Sequence, residues 1–312
     1  MFILSSGRSG STLLQRVLNT YDDVTIWGEH AGFLAPTAEA YFRLIENPGS
    51  REFLFPGSAG RPIENLAQLA ERKDPRQWQA WVNSFTPDDA ATFFRRHVES
   101  FLKLPLMDDG HVWGFKEIRY GRGDRVIEFL ATLYPRAVFV FLGRHALSTL
   151  ASQFKAFQRG GRLGRLWPRR GLIDACRKWK LQNQTLLDWH RSGRLRSFWI
   201  PFEELSQGGA ALAPLLAELG KKLGPEQEAV FGLDEGRGSA FGSSNGLDQR
   251  WKTFGYLPLA VAEAIVGEVN ASLGYEAPPS LRWLGKLRRR GTSPRRSSGL
   301  AGTATWAPPG PG

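Results

Sequence analysis

The sequence predicts an α/β fold, a central parallel sheet flanked by helices, from three observations. Short apolar runs alternate with helical patterns along most of the chain. One run, Ala137–Leu142 (AVFVFL), is continuous, β-branched and aromatic, as a strand buried on both faces is. Another, Phe2–Ser5 (FILS), leads directly into a turn of small residues and then a helix. In such folds ligands bind at the carboxyl ends of strands. With 312 residues, 42% of them apolar, the chain has enough core for one large domain.

The elements follow in order. Strands are predicted at Phe2–Ser5, Val24–Trp27, Trp113–Ile118, Ala137–Leu142 and Ser197–Pro201. The second is expected beside the first. Helices are predicted at about 10–20, 87–104, 123–134, 146–158, 171–192, 209–222 and 258–273. The last has Pro258 near its start and Gly274 at its stop, which is the usual asymmetry of helix ends. Residues 32–110 carry no clear strand and are expected to form a mostly helical insertion over the site. Residues 1–280 then make one domain.

Residues 281–312 are expected to be a disordered tail. From Arg282 onward there are seven basic residues and no acidic one, and the last stretch is rich in Ser, Gly and Pro. Such a composition cannot bury enough surface to offset its ordering entropy. The tail therefore carries more than half of the net charge of +11. The remainder is mildly basic and suits an anionic ligand better than a nucleic-acid duplex. The single cysteine, Cys176, excludes an intramolecular disulfide framework and a cysteine-based zinc site. No apolar run approaches the ~20 residues of a membrane span. Nor is there a signal-peptide pattern, so a cytoplasmic location is expected.

The strongest local signal is Ser5-Ser6-Gly7-Arg8-Ser9-Gly10-Ser11-Thr12-Leu13-Leu14, which follows the first strand and opens the first helix. Backbone N–H groups and the helix dipole favour an anion there. Glycines allow close approach, the hydroxyls of Ser11 and Thr12 add donors, and Arg8 adds a cation. The lysine that follows the last glycine of a nucleotide P-loop is replaced by Ser11, which counts against a kinase or nucleotide hydrolase.

This segment resembles the 5′-phosphosulfate loop of sulfotransferases that use 3′-phosphoadenosine 5′-phosphosulfate (PAPS). By that resemblance Arg8 spans the phosphosulfate and Ser9 to Thr12 form its cradle. A second segment is similar too. The strand AVFVFL is followed by Arg144 and, eight residues on, by Ser152, the spacing with which that family holds the cofactor 3′-phosphate. A planar guanidinium suits phosphate oxygens. Phe202, in Phe202-Glu203-Glu204-Leu205, stands where the family has a tyrosine against the adenine. Lys252, in the segment GLDQRWK, resembles a basic residue of a loop closing over the nucleotide.

The resemblance also implies an acceptor side. Gly28-Glu29-His30 is similar to the Gly-Glu-Glu of tyrosylprotein sulfotransferases and related bacterial enzymes, whose glutamate is the base. Glu29 is the first candidate, and His30 could equally serve as a general base. Lys116, in Gly114-Phe115-Lys116-Glu117-Ile118, resembles the lysine that points at the transferring group. A charge inside an apolar strand also needs a reason of its own, such as a salt bridge. Glu117 and Arg119 are secondary candidates. The implied function is PAPS-dependent sulfuryl transfer to a small-molecule, glycan or peptide acceptor, with no metal. The alternatives are a P-loop-type kinase or hydrolase, and a non-catalytic anion- or nucleic-acid-binding protein.

Overall fold

The computed structural model describes residues 1–55, 85–103, 110–158, 170–232, 256–277 and 281. Lys252, the GLDQRWK segment, much of the predicted insertion and the basic tail after Leu281 lie outside the described residues.

In chain order the elements are β1 (Phe2–Ser5), α1 (Ser11–Leu18), β2 (Val24–Trp27), α2 (Leu34–Glu46) and a π-helical turn (Ser50–Leu54). Then come α3 (Pro87–Leu102), β3 (Val112–Glu117), α4 (Val126–Leu133), β4 (Val138–Gly143), α5 (Ala146–Gln158), α6 (Arg170–Arg191) and β5 (Arg196–Pro201). The chain continues with α7 (Phe202–Leu205), a 3₁₀ turn (Gly209–Leu212), α8 (Ala213–Glu218), α9 (Pro225–Gly232) and α10 (Tyr256–Ser272).

The five strands form one parallel sheet in the order β2-β3-β1-β4-β5. β1 and β4, buried at every position, lie in its middle. β2 is at the edge, two places from β1, and not beside it as the sequence suggested. Its burial alternates, and the Asn19 side-chain amide bonds both the N–H (2.7 Å) and the carbonyl (3.0 Å) of Ile26. The residue that caps the end of α1 thus occupies backbone groups of this edge strand. β3 takes the inner place because Gly114 has no side chain. A Cβ there would stand 1.6 Å from the Met1 carbonyl oxygen.

Both faces of the sheet are covered. On one, Phe2, Leu4, Phe115, Phe139 and Phe141 pack against α2, α3 and α4. The described parts of residues 32–110 therefore contribute to the main core. α3 begins where Thr86 and Asp89 form a reciprocal capping box with Pro87 behind them. On the other face, Ile3, Val140, Leu142 and Ile200 meet α1 and α8. A third cluster joins α5, α6 and α10, and Leu281, the first residue of the predicted tail, is buried in it.

The single helix expected at 209–222 is instead a 3₁₀ turn followed by α8. Pro214 has no N–H to donate and belongs in a first turn, so α8 restarts there and ends before Gly220, whose φ is 68°. Among the described residues no helix is long and apolar enough to cross a membrane.

Candidate active site

The site lies at the carboxyl ends of β1, β3 and β4. The 6–10 loop turns sharply, with φ of 71° at Arg8 and 89° at Gly10. Gly10 caps α1 and is packed under the Phe202 ring, where a Cβ would come within 2.6 Å of that ring. Only glycine meets both demands. The Ser9 hydroxyl donates to the Ser6 carbonyl at 2.5 Å, so this predicted cradle residue ties the loop to itself. The Gly7 carbonyl accepts from the Gln153 amide at 3.2 Å. The hydroxyls of Ser5 and Ser6, which open that segment but are assigned no role from the sequence, are buried without a partner among the described residues.

The two sequence segments meet here. Arg8 Nε donates to Ser152 Oγ at 3.1 Å, and an Arg144 guanidinium N–H donates to the Arg8 carbonyl at 2.6 Å. Arg144 is buried and its guanidinium stacks 4.0 Å from the centroid of Phe202. Phe202 is thus wedged between Gly10 and Arg144. A cation over an aromatic face holds its plane while leaving its edge for oxygen acceptors.

The other half of the site is built around β3. Lys116 Nζ reaches Glu29 Oε1 at 2.8 Å and Thr12 Oγ1 at 3.4 Å. The lysine is almost fully buried, whereas the Glu29 side chain keeps a third of its surface open. The second oxygen of Glu29 accepts from Arg119 at 3.2 Å. Lys116 therefore joins Glu29 to Thr12, at the head of α1 and next to the loop.

His30 faces away from it. The ring is boxed edge-on by Phe33 (4.7 Å) and Phe115 (4.6 Å), with Tyr120 alongside. Its Nδ1 shares a hydrogen bond with the Tyr120 hydroxyl at 3.2 Å, and Nε2 is buried without a partner among the described residues. Burial lowers its pKa, opposed by the nearby Glu117 carboxylate. The geometry brings Glu29 and Lys116 together with the anion loop and leaves His30 in the wall behind them. Glu117, beside Lys116 but on the opposite face of β3, is fully buried and bonded to the 30–32 backbone. A second charge in an apolar strand was its only signal in the sequence. Among the described residues no group of three His, Cys, Asp or Glu is placed to hold a metal.

Residues 1–213 match the family model described as "Sulfotransferase family". Among solved structures, the sulfotransferase domain of the Synechococcus PCC 7002 olefin synthase is 17% identical, with a TM-score of 0.48, over 89% of this chain and 94% of that one. The sulfotransferase domain from the curacin biosynthetic pathway is 19% identical at the same TM-score, over 89% and 98%. Sulfotransferase STF9 from Mycobacterium avium is 12% identical, with a TM-score of 0.39, over 74% and 66%. No curated protein sequence matches the chain.

Proposed function

The chain belongs to the Sulfotransferase family, and we propose that it transfers a sulfuryl group from PAPS to a hydroxyl or amine acceptor, with Glu29 as the general base. The observation that carries this reading is that the segment from Arg8 to Thr12 is met on one side by the Lys116–Glu29 pair, through Thr12, and on the other by Arg144 and Ser152, through Arg8.

The residues present fit an anionic adenine nucleotide. Two buried hydroxyls, Ser5 and Ser6, stand at the end of β1 without partners among the described residues. A loop with backbone N–H groups and a helix N-terminus follow them. Phe202 offers a ring next to the buried Arg144 guanidinium. Ser11 and Thr12, with the 7–10 loop, would hold the 5′ end, and Arg144 and Ser152 the 3′-phosphate. PAPS would supply an activated sulfuryl group on a phosphate leaving group.

The protein's part is positioning and electrostatics. Glu29 takes the acceptor proton on a carboxylate oxygen. Lys116 holds that carboxylate in place and turns its remaining N–H groups to the oxygens on which charge develops. Arg8 adds a second cation on the phosphate side. Cations, hydroxyls and backbone N–H groups would meet the phosphate oxygens directly, so nucleotide binding is expected to be indifferent to Mg²⁺.

Calorimetric titration with 3′-phosphoadenosine 5′-phosphate (PAP), compared with ATP plus Mg²⁺, tests the reading. The expected result is metal-independent binding of PAP, weakened about 10–100-fold in Arg144→Ala, the order of a lost charged hydrogen-bond partner. Preference for ATP with Mg²⁺, or no nucleotide binding at all, overturns it.

A further inference from the structure

Glu117 has no exposed surface, yet it sits one residue from Lys116 on the strand that feeds the site. A buried carboxylate is costly unless its lone pairs are engaged. Its Oε1 accepts the backbone N–H of Ile118 at 2.8 Å and an Arg119 N–H at 2.6 Å. Its Oε2 accepts the backbone N–H groups of His30 at 3.1 Å and Gly32 at 2.9 Å. Those last two bonds leave the strand and clamp the turn that immediately follows Glu29. The Arg119 nitrogen bound to Glu117 is also the one that reaches Glu29 Oε2 at 3.2 Å. Glu117 thus grips Glu29 twice, through its backbone and through the cation at its side chain.

We propose that Glu117 is a positioning residue of the transfer reaction, holding Glu29 beside Lys116 through the 30–32 backbone and through Arg119. The proposal rests on Glu29 being the base. Arg119 and His30 face Glu117 directly, with Tyr120 and Arg122 near it, while Lys116 and Arg119 face Glu29. Burial penalises the Glu117 charge. The N–H groups of Ile118 and Gly32, with Arg119 and His30, outweigh that penalty and hold its pKa below the ordinary carboxylate value. The clamp is therefore ionised at neutral pH. Packing alone does not call for this arrangement, since an apolar residue there would satisfy the strand and leave the turn loose.

The test uses the full chain as Glu29→Gln, Glu117→Gln and the double variant. Three quantities are read: PAP release from PAPS with water as acceptor, PAP affinity by calorimetry, and amide hydrogen exchange at His30 and Gly32. Glu117→Gln is expected to lower kcat about 10–100-fold, the scale of an ångström-sized misplacement. PAP affinity and the KM for PAPS should stay within about two-fold, since the donor contacts are elsewhere. Exchange at His30 and Gly32 should quicken. In the Glu29→Gln background the same substitution should cost no further kcat, because it acts through the residue already removed. Additive losses, or a slower enzyme with unchanged exchange at both amides, overturn the proposal. If Glu29→Gln itself keeps the wild-type rate, the base assignment falls and the proposal falls with it; that result is distinct from additivity. If Glu117→Gln does not fold, Arg119→Gln is substituted at a partly exposed position and must lower kcat non-additively with Glu29→Gln, or the proposal fails.

Discussion

The two halves of the site are made by opposite means. The half proposed to take the anion is largely one contiguous segment, residues 5–12, whose backbone turns at Arg8 and Gly10 and whose buried Ser5 and Ser6 hydroxyls are left without partners among the described residues. The Glu29 half is assembled from β2, β3 and the turns after them, and its carboxylates are each met by a cation or by N–H groups. One half is shaped to receive charge, and the other is already balanced. The first is set by local chain geometry and the second by tertiary pairing, so they should fail differently.

Removing the base should separate the halves most sharply. Glu29→Gln is expected to lower kcat for PAP release from PAPS by about 10²–10⁴-fold, the usual weight of general-base catalysis, with PAP affinity nearly unchanged. A loss of affinity in parallel with kcat would show that the halves are not separable. Gly10→Val should produce the reverse pattern. The left-handed backbone costs a side chain about 1–2 kcal/mol and the overpacking against Phe202 about 1–3 kcal/mol, so calorimetry should show PAP binding weakened about 100-fold. Unaltered affinity in a folded Gly10→Val protein would mean that the loop does not bind the nucleotide.

Acid should strain both halves, because each has a buried histidine behind it. Burial lowers the pKa of His30 on one side and of His145 on the other from the model-compound value of 6.5. The unfolded chain then takes up protons before the folded one does. Stability is full above about pH 6.5 and falls as the pH drops from there toward the lowered folded values. Glu117, whose folded pKa is depressed, adds a further loss below about pH 4.5. Thermal denaturation at pH 7.5 and 5.5 should show a lower midpoint at 5.5; equal midpoints would contradict the direction of both shifts. The smallest effect belongs to Ser152→Ala, which removes one partner of Arg8 at a half-exposed site. A few-fold weaker PAP binding is expected from the loss of one ordinary hydrogen bond. A loss as large as that of Arg144→Ala would promote Ser152 from support to principal contact.

This contrast explains what the sequence made legible. The turn between β1 and α1 could be read because its small residues, glycines and helix start are consecutive. Arg144 and Ser152 could be read because a strand end and the helix after it fix their spacing. The five strands were placed to within a residue or so because each is an apolar run. The edge position of β2 was not visible, since it depends on the Asn19 amide and on a strand whose Gly114 tolerates the Met1 backbone. Neither was the role of Glu117. Its partners lie on the 30–32 backbone, more than 80 residues away in the chain, and nothing in a local pattern announces them. α9 was missed because its sequence, PEQEAVFG, has almost no apolar stripe.

The adjacency of Lys116 and Glu117 on β3 has a consequence for how the sheet assembles. Neighbouring residues of a strand point to opposite faces, so a slip of one position exchanges them. The slipped strand would thrust a carboxylate beside that of Glu29 and bury an ammonium against the backbone N–H groups of His30 and Gly32. Two misplaced charges would then oppose the wrong pairing, in addition to the displaced Phe115. A pair of opposite charges side by side on one inner strand thus works as a proofreading key for strand alignment, and a single-residue insertion or deletion in β3 is the kind of change this protein should tolerate least.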